Sequence, residues 1–147
     1  MDQSSAAGKA IMGFVAGALS VVTFFFATWA ALRAAGMIPA TAAPVWSMDG
    51  VAPFGVPRAL NLAFWGGVWG LVLNLIFSRL SGAGYWIAWL LAGAIVVAGV
   101  AIFVVPTIKG LPIANLTPQR FINSGLLNGM FALGAAIWLR VLARRGG

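Results

Sequence analysis

The sequence predicts an all-α polytopic membrane protein, with four transmembrane helices forming two hairpins, the second of which echoes the first. Three observations predict it. Hydrophobic residues make up 62% of the chain and charged residues 7%, against about 45–50% and about 25% in soluble domains. Four apolar stretches are each long enough to cross a bilayer, for which roughly 18 or more residues suffice. The segments between them are short, so residues 1–147 form one transmembrane domain with no room for a soluble one.

Met1–Lys9 reads as a short polar tail, and span one as residues 10–35. That run is longer than the roughly 7–15 apolar residues of a signal peptide, so it is expected to stay in place. Gly36–Val56 is the longest connection, where Pro39, Pro44 and Pro53 break helix continuation. It carries Met37, Trp46, Met48 and Phe54, so it is expected to lie on the membrane surface or dip back into the protein. Span two, residues 57–79, starts at Pro57, a good first-turn residue. The turn Ser81-Gly82-Ala83-Gly84 leads into span three, residues 85–105, closed by Pro106; spans two and three should therefore pair as an antiparallel hairpin. Thr117-Pro118 reads as a helix cap followed by proline at the first helical position, opening span four, residues 118–142. Asn115-Leu116-Thr117 has the form of a glycosylation sequon, but the following Pro118 and the membrane-proximal setting speak against its use.

An even number of spans puts both termini on one side. Lys9, Arg79, Arg140, Arg144 and Arg145 fall there, and Arg33, Arg58, Lys109 and Arg120 on the other. The terminal arginine pair tips the positive-inside rule toward cytoplasmic termini. Tyr85, Trp86, Trp89 and Trp138 then form an aromatic belt at that interface, with Trp29 and Trp46 nearer the other.

Spans two and four repeat at an offset of 62 residues: Arg58, Asn61 and Gly67 align with Arg120, Asn123 and Gly129. Ala63, Gly67, Gly70 and Asn74 sit opposite Gly125, Gly129, Ala132 and Ala136, each set on one helical face. Spans one and three echo more weakly, Ala16-Gly17-Ala18 against Ala92-Gly93-Ala94, with Arg33 and Lys109 in similar places. The repeat implies two hairpins related by an axis along the membrane normal. Gly13/Gly17, Gly66/Gly70 and Gly125/Gly129 have GxxxG spacing, and with Gly67 they are expected to pack helices. In lipid, hiding leucine gains little, and close backbone approach supplies dispersion contact instead.

Chemistry is bounded by what is missing. The chain has no histidine, cysteine or glutamate, and its acids, Asp2 and Asp49, lie outside the spans. Side-chain acid–base, nucleophilic and metal catalysis therefore lack their usual groups, and so does proton-coupled transport. No enzyme activity, metal or cofactor is expected. The net charge of +7 is scattered over helix ends rather than one face, so nucleic acid is not an expected partner.

What remains is intramembrane polarity: Ser20, Thr23, Thr28, Asn61, Asn74, Asn123, Ser124 and Asn128. These suit interhelical hydrogen bonds or a polar lining, and Asn61 and Asn123 are the best lining candidates because the repeat places them alike. Arg33, Arg58, Lys109 and Arg120 share one interface, as snorkelling anchors or as a site for a lipid headgroup or small anion. Trp65 and Trp69 flank glycines in span two, either filling spaces on neighbouring helices or projecting toward a partner.

Phe54-Gly55-Val56-Pro57, Ala63-Phe64-Trp65-Gly66-Gly67-Val68-Trp69-Gly70, Lys109-Gly110-Leu111-Pro112 and Asn128-Gly129 resemble a group of small four-span bacterial inner-membrane proteins. The resemblance implies a bacterial membrane location and brings no activity or cofactor. Three functions stay open. One is an accessory or structural subunit, packing against itself or another membrane protein. The second is a small channel or facilitator for an anion or neutral solute, and the third a lipid-headgroup binder.

Overall fold

The structure is a computed structural model and describes residues 5–51, 54–113 and 116–145. Asp2, Pro53 and the sequon residue Asn115 lie outside the described residues. Among the described residues, four helices are long and apolar enough to cross a membrane: α1 (Ala6–Ala34), α2 (Arg58–Phe77), α3 (Gly82–Ile108) and α4 (Pro118–Arg145). The chain is thus an all-α, multi-pass membrane protein.

Local chemistry sets the helix ends. Ser5 caps α1, its hydroxyl accepting from Gly8 N–H at 2.9 Å, so the helix begins four residues before the apolar run. Thr117 caps α4, accepting from Arg120 N–H at 3.3 Å ahead of Pro118. Pro57 stands one position outside α2 as its cap rather than in its first turn. Both outer-loop exits use the same device. Gly36 and Gly110 adopt φ of 79° and 70°. The next residues, Met37 and Leu111, then donate back to Leu32 and Pro106 carbonyls at 2.9 and 2.8 Å. This closes the free carbonyls of each helix end, and only glycine takes that φ without strain.

Pro106 does not close span three. The helix continues to Ile108, after two π-helical turns at Ala92–Val97 and Val100–Val104. Such turns relax the main-chain bonding, so the missing proline N–H is tolerated; Thr107 donates its hydroxyl to the Phe103 carbonyl at 2.7 Å. A third π turn, Val21–Phe25, interrupts α1.

The 36–57 connection folds back onto the bundle. Ile38 and Val45 are buried with Trp29 and Leu32, against Leu62 of α2 and Leu127 of α4. Trp46 lies edge-on to Trp29 at 5.2 Å. A two-residue ladder pairs β1 (Gly50–Val51) with β2 (Val56–Pro57). Loop carbonyls of Asp49 and Ser47 accept from Arg58 and Ala59 N–H at 2.9 and 3.0 Å, satisfying donors that the start of α2 would otherwise leave free.

α1 and α4 are central. α1 packs closely on α2 and α4, and α4 on α3, around fully buried Met12, Trp89 and Leu139. α2 and α3 do not pair along their length; they touch only near the turn that joins them. The antiparallel pairs are α1 with α2 and α3 with α4.

Candidate functional site

The two hairpins pack in the same register. In the first, a Cβ on Gly17 would overlap the Gly66 carbonyl and come within 3.1 Å of Gly70 Cα. In the second, a Cβ on Gly93 would overlap the Asn128 carbonyl and the Ala132 methyl. Gly67 receives the Phe14 ring, while Gly129 receives Leu90 at 3.5 Å. Every pair is related by the offsets of 76 (17 to 93) and 62 (66 to 128) residues. A buried hydrogen bond follows the same rule with its direction reversed. Asn74 donates to the Lys9 carbonyl at 2.8 Å, and Tyr85, the counterpart of Lys9, donates to the carbonyl of Ala136, the counterpart of Asn74, at 3.0 Å.

Between hairpins the symmetry stops. α1 meets α4 through Ser20, whose hydroxyl donates to the Phe131 carbonyl at 2.6 Å. Trp138 Nε1 donates to Thr23 Oγ1 at 3.0 Å, and Phe24 seats over Gly134. The counterparts on α3 and α2 are Val96 for Ser20, Gly99 for Thr23, Val100 for Phe24, Trp69 for Phe131, Val72 for Gly134 and Ile76 for Trp138. They carry no donor beyond the Trp69 indole, so this pair of faces lacks the hydrogen bonds that hold α1 to α4 within the chain. The strict twofold bundle expected from the repeat is therefore not formed.

The polar side chains inside the spans hold helices. Besides Ser20, Asn74 and Tyr85, Ser124 donates to the Ala98 carbonyl at 3.4 Å. Asn128 is turned onto its own helix, donating to the Ser124 carbonyl at 2.9 Å. Thr23 and Thr28 bond back to the carbonyls four residues earlier at 2.7 Å. Asn123 ties α4 to the first loop, donating to the Met37 carbonyl at 3.0 Å and accepting from Gln119 at 2.8 Å. Its repeat partner Asn61, half-buried, has no such bond among the described residues, so the pair is not equivalent in the structure.

Arg33, Arg58, Lys109 and Arg120 stand at the outer helix ends, each in a setting of its own. Arg33 Nη2 donates to the Ala40 carbonyl at 2.6 Å and its guanidinium lies 5.6 Å from the Trp29 ring, so it clamps its own loop. Arg58 Nε is buried without a hydrogen-bond partner. Arg120 N–H is spent on the Thr117 cap, and Lys109 is half-exposed at the end of α3. Trp65 is exposed and edge-on to Phe64 at 5.3 Å; Trp69 is half-buried against the core. Gly66 and Gly70 face α1, whereas Gly125 has open contact, its nearest neighbour being the Ala94 carbonyl at 3.6 Å from a built Cβ.

A different polar corner lies at the end bearing the termini. The Arg140 guanidinium sits 4.2 Å from the Tyr85 ring. On one side is a groove of about 360 Å³ lined by Trp86, Ile137, Arg140, Val141 and Arg144. On the other is a cavity of about 180 Å³ reaching Asn74, Ser78 and Tyr85. The Ser78 hydroxyl is buried with no partner. Charge counting along the sequence sees these arginines only as terminal anchors; the signal for more is the i, i+4 spacing of Arg140 and Arg144 on one face of α4.

The chain matches no family model, no curated protein and no solved structure with which it was compared.

Proposed function

We propose that this chain is a non-enzymatic integral membrane subunit that works by packing, first of all against further copies of itself. The observation that supports this is the unequal use of two equivalent faces. One hairpin-to-hairpin face, α1 on α4, is occupied within the chain. Its repeat counterpart, α3 and α2, is open, with Ile76 62% and Val96 52% exposed and Gly99 bare. The open faces match in shape by exchange of knobs and holes. Phe24 over Gly134 becomes Val100 beside Val72, and Trp138 over Thr23 becomes Ile76 over Gly99. Docking α3 of one copy on α2 of the next would continue the arrangement head-to-tail, a heterologous contact that forms a ring if its rotation closes and an open row if it does not. A different membrane protein presenting a similar face is the accessory-subunit form of the same reading.

The absence of native cysteine makes a direct test clean. Ser20 and Gly134 are so close that their counterparts, Val96 and Val72, fall within disulfide reach if the copies dock alike, with Cβ atoms about 3.5–4.5 Å apart. Val96→Cys and Val72→Cys chains, mixed in vesicles and oxidised, should give a cross-linked dimer that neither gives alone. A dimer from Val96→Cys alone would refute the head-to-tail order. No cross-link, with a larger native complex containing another protein, would replace self-packing by the accessory role. A monomer with no co-purifying protein in gently extracted membranes would remove the subunit reading altogether.

The facilitator reading draws less support, because most interior polar groups are engaged in helix contacts. Solute flux in liposomes that disappears when Asn61 and Asn123 are both changed to leucine would restore it. The proposal includes a bacterial inner-membrane setting with both termini cytoplasmic, supported by the sequence resemblance and the terminal arginines.

A further inference from the structure

Among the described residues, no carboxylate lies with the charges at the termini end. Lys9, Arg79, Arg140, Arg144 and Arg145 gather there. Asp49, the only carboxylate among the described residues, lies in the loop at the opposite end. Most of these cations need no more than water. Arg140 is different, because its position is built. Tyr85 is 4% exposed and its hydroxyl is tied to the Ala136 carbonyl at 3.0 Å, which fixes the ring. The guanidinium stacks on that ring at 4.2 Å. Stacking occupies a face of the fork and a side-chain hydrogen bond with Tyr85 takes up one N–H; a guanidinium has five N–H donors, and the others at its edges suit phosphate oxygens. Arg144 stands one turn further on, on the same face.

We infer that the groove of Trp86, Ile137, Arg140, Val141 and Arg144 holds the phosphate of an anionic phospholipid. The shape separates a lipid from free phosphate. Trp86, Ile137 and Val141 give the groove an apolar wall, and its volume of about 360 Å³ exceeds the needs of a bare phosphate. It suits a phosphate with its glycerol, acyl chains running down the α3 and α4 surface. This inference is independent of self-packing, since the α2–α3 face does not contain the groove.

Native mass spectrometry of the full chain, released from nanodiscs of phosphatidylcholine with phosphatidylglycerol, tests it. The wild type should retain phosphatidylglycerol selectively. Arg140→Gln should weaken retention about tenfold through loss of a charge-assisted fork, with Arg144→Gln less affected and Arg140→Lys intermediate. Arg79→Gln, exposed at the same end but outside the groove, should match the wild type. Retention unchanged in both Arg140→Gln and Arg144→Gln overturns the site. An equal loss in Arg79→Gln reduces it to diffuse charge and also overturns it. If inorganic phosphate displaces the lipid at equal concentration, the site belongs to free phosphate and the lipid assignment falls. Helicity by circular dichroism, unchanged in each variant, separates these outcomes from misfolding.

Discussion

Replacing Gly17 by alanine should destabilise the bundle by about 2 kcal/mol, even though alanine is the better helix former. The added methyl meets main chain, not a side chain that can rotate away. It would overlap the Gly66 carbonyl oxygen and stand 2.8 Å from the carbonyl carbon, where carbon contacts prefer about 3.5–4.0 Å. α1 and α2 must therefore separate by roughly 1 Å. A gap of that size forfeits a quarter to a half of the contact attraction along the stripe of Gly13, Gly17, Gly66 and Gly70. Overpacking of this kind costs about 1–3 kcal/mol. The upper end applies because backbone is opposed, and the propensity gain of about 1 kcal/mol offsets part of it. Gly129→Ala is the matched control. Its Cβ would find Ala94 Cβ at 3.4 Å and Leu90 at 3.5 Å, so it should be neutral or slightly stabilising. Reversible unfolding in mixed micelles, with helicity followed by circular dichroism, measures both. Equal stabilities for Gly17→Ala and Gly129→Ala would refute the close α1–α2 crossing.

Other outcomes follow from single contacts. Ser20→Ala should cost about 0.6–2 kcal/mol, the range for an interhelical hydrogen bond in lipid, and should loosen α1 from α4 without disturbing either hairpin; unfolding in micelles reads it. Tyr85→Phe should cost a similar amount through the Ala136 bond and should also lower phosphatidylglycerol retention, because the ring under Arg140 is no longer held. Phe54→Ser should leave stability within about 0.5 kcal/mol, since Phe54 is 89% exposed on its loop.

The spans were legible because hydropathy over about 20 residues is a one-dimensional signal, and the Thr117-Pro118 start because capping is local. What the sequence could not show is which helix faces which. In lipid an apolar side chain is equally at home against a neighbour or an acyl chain, so composition does not choose partners. Three GxxxG pairs look alike on paper, yet Gly13/Gly17 lock onto Gly66/Gly70 while Gly125 is loosely packed. The same ambiguity let spans two and three read as a packed hairpin on the strength of a short turn. Pro106 reads as a stop because its missing N–H is local, whereas the π turns that absorb it are not visible in the sequence. The outer basic residues read as snorkelling anchors or as one site because they share an interface. Arg33 also donates to the Ala40 carbonyl, a loop contact that spacing does not encode.

The reversed hydrogen bond bears most on how this fold holds. Asn74 reaching Lys9 and Tyr85 reaching Ala136 occupy the same places in the two hairpins, yet donor and acceptor have changed helices. Either direction ties the same two backbones, so the crossing needs a bond at that level rather than a particular residue. The same level separates the two ends in function. In the first hairpin Asn74 fills the position and leaves no ring; in the second a tyrosine fills it, and its exposed neighbour Arg140 gains a platform. A bond that serves packing in both hairpins thus sets an arginine beside a groove in only one. Exchanging the two solutions separates the roles. Ala136→Asn combined with Tyr85→Ala should restore the crossing in the second hairpin, the introduced amide donating back to the main chain of α3, while phosphatidylglycerol retention stays low. Retention at the wild-type level in that variant would show that Arg140 needs no platform.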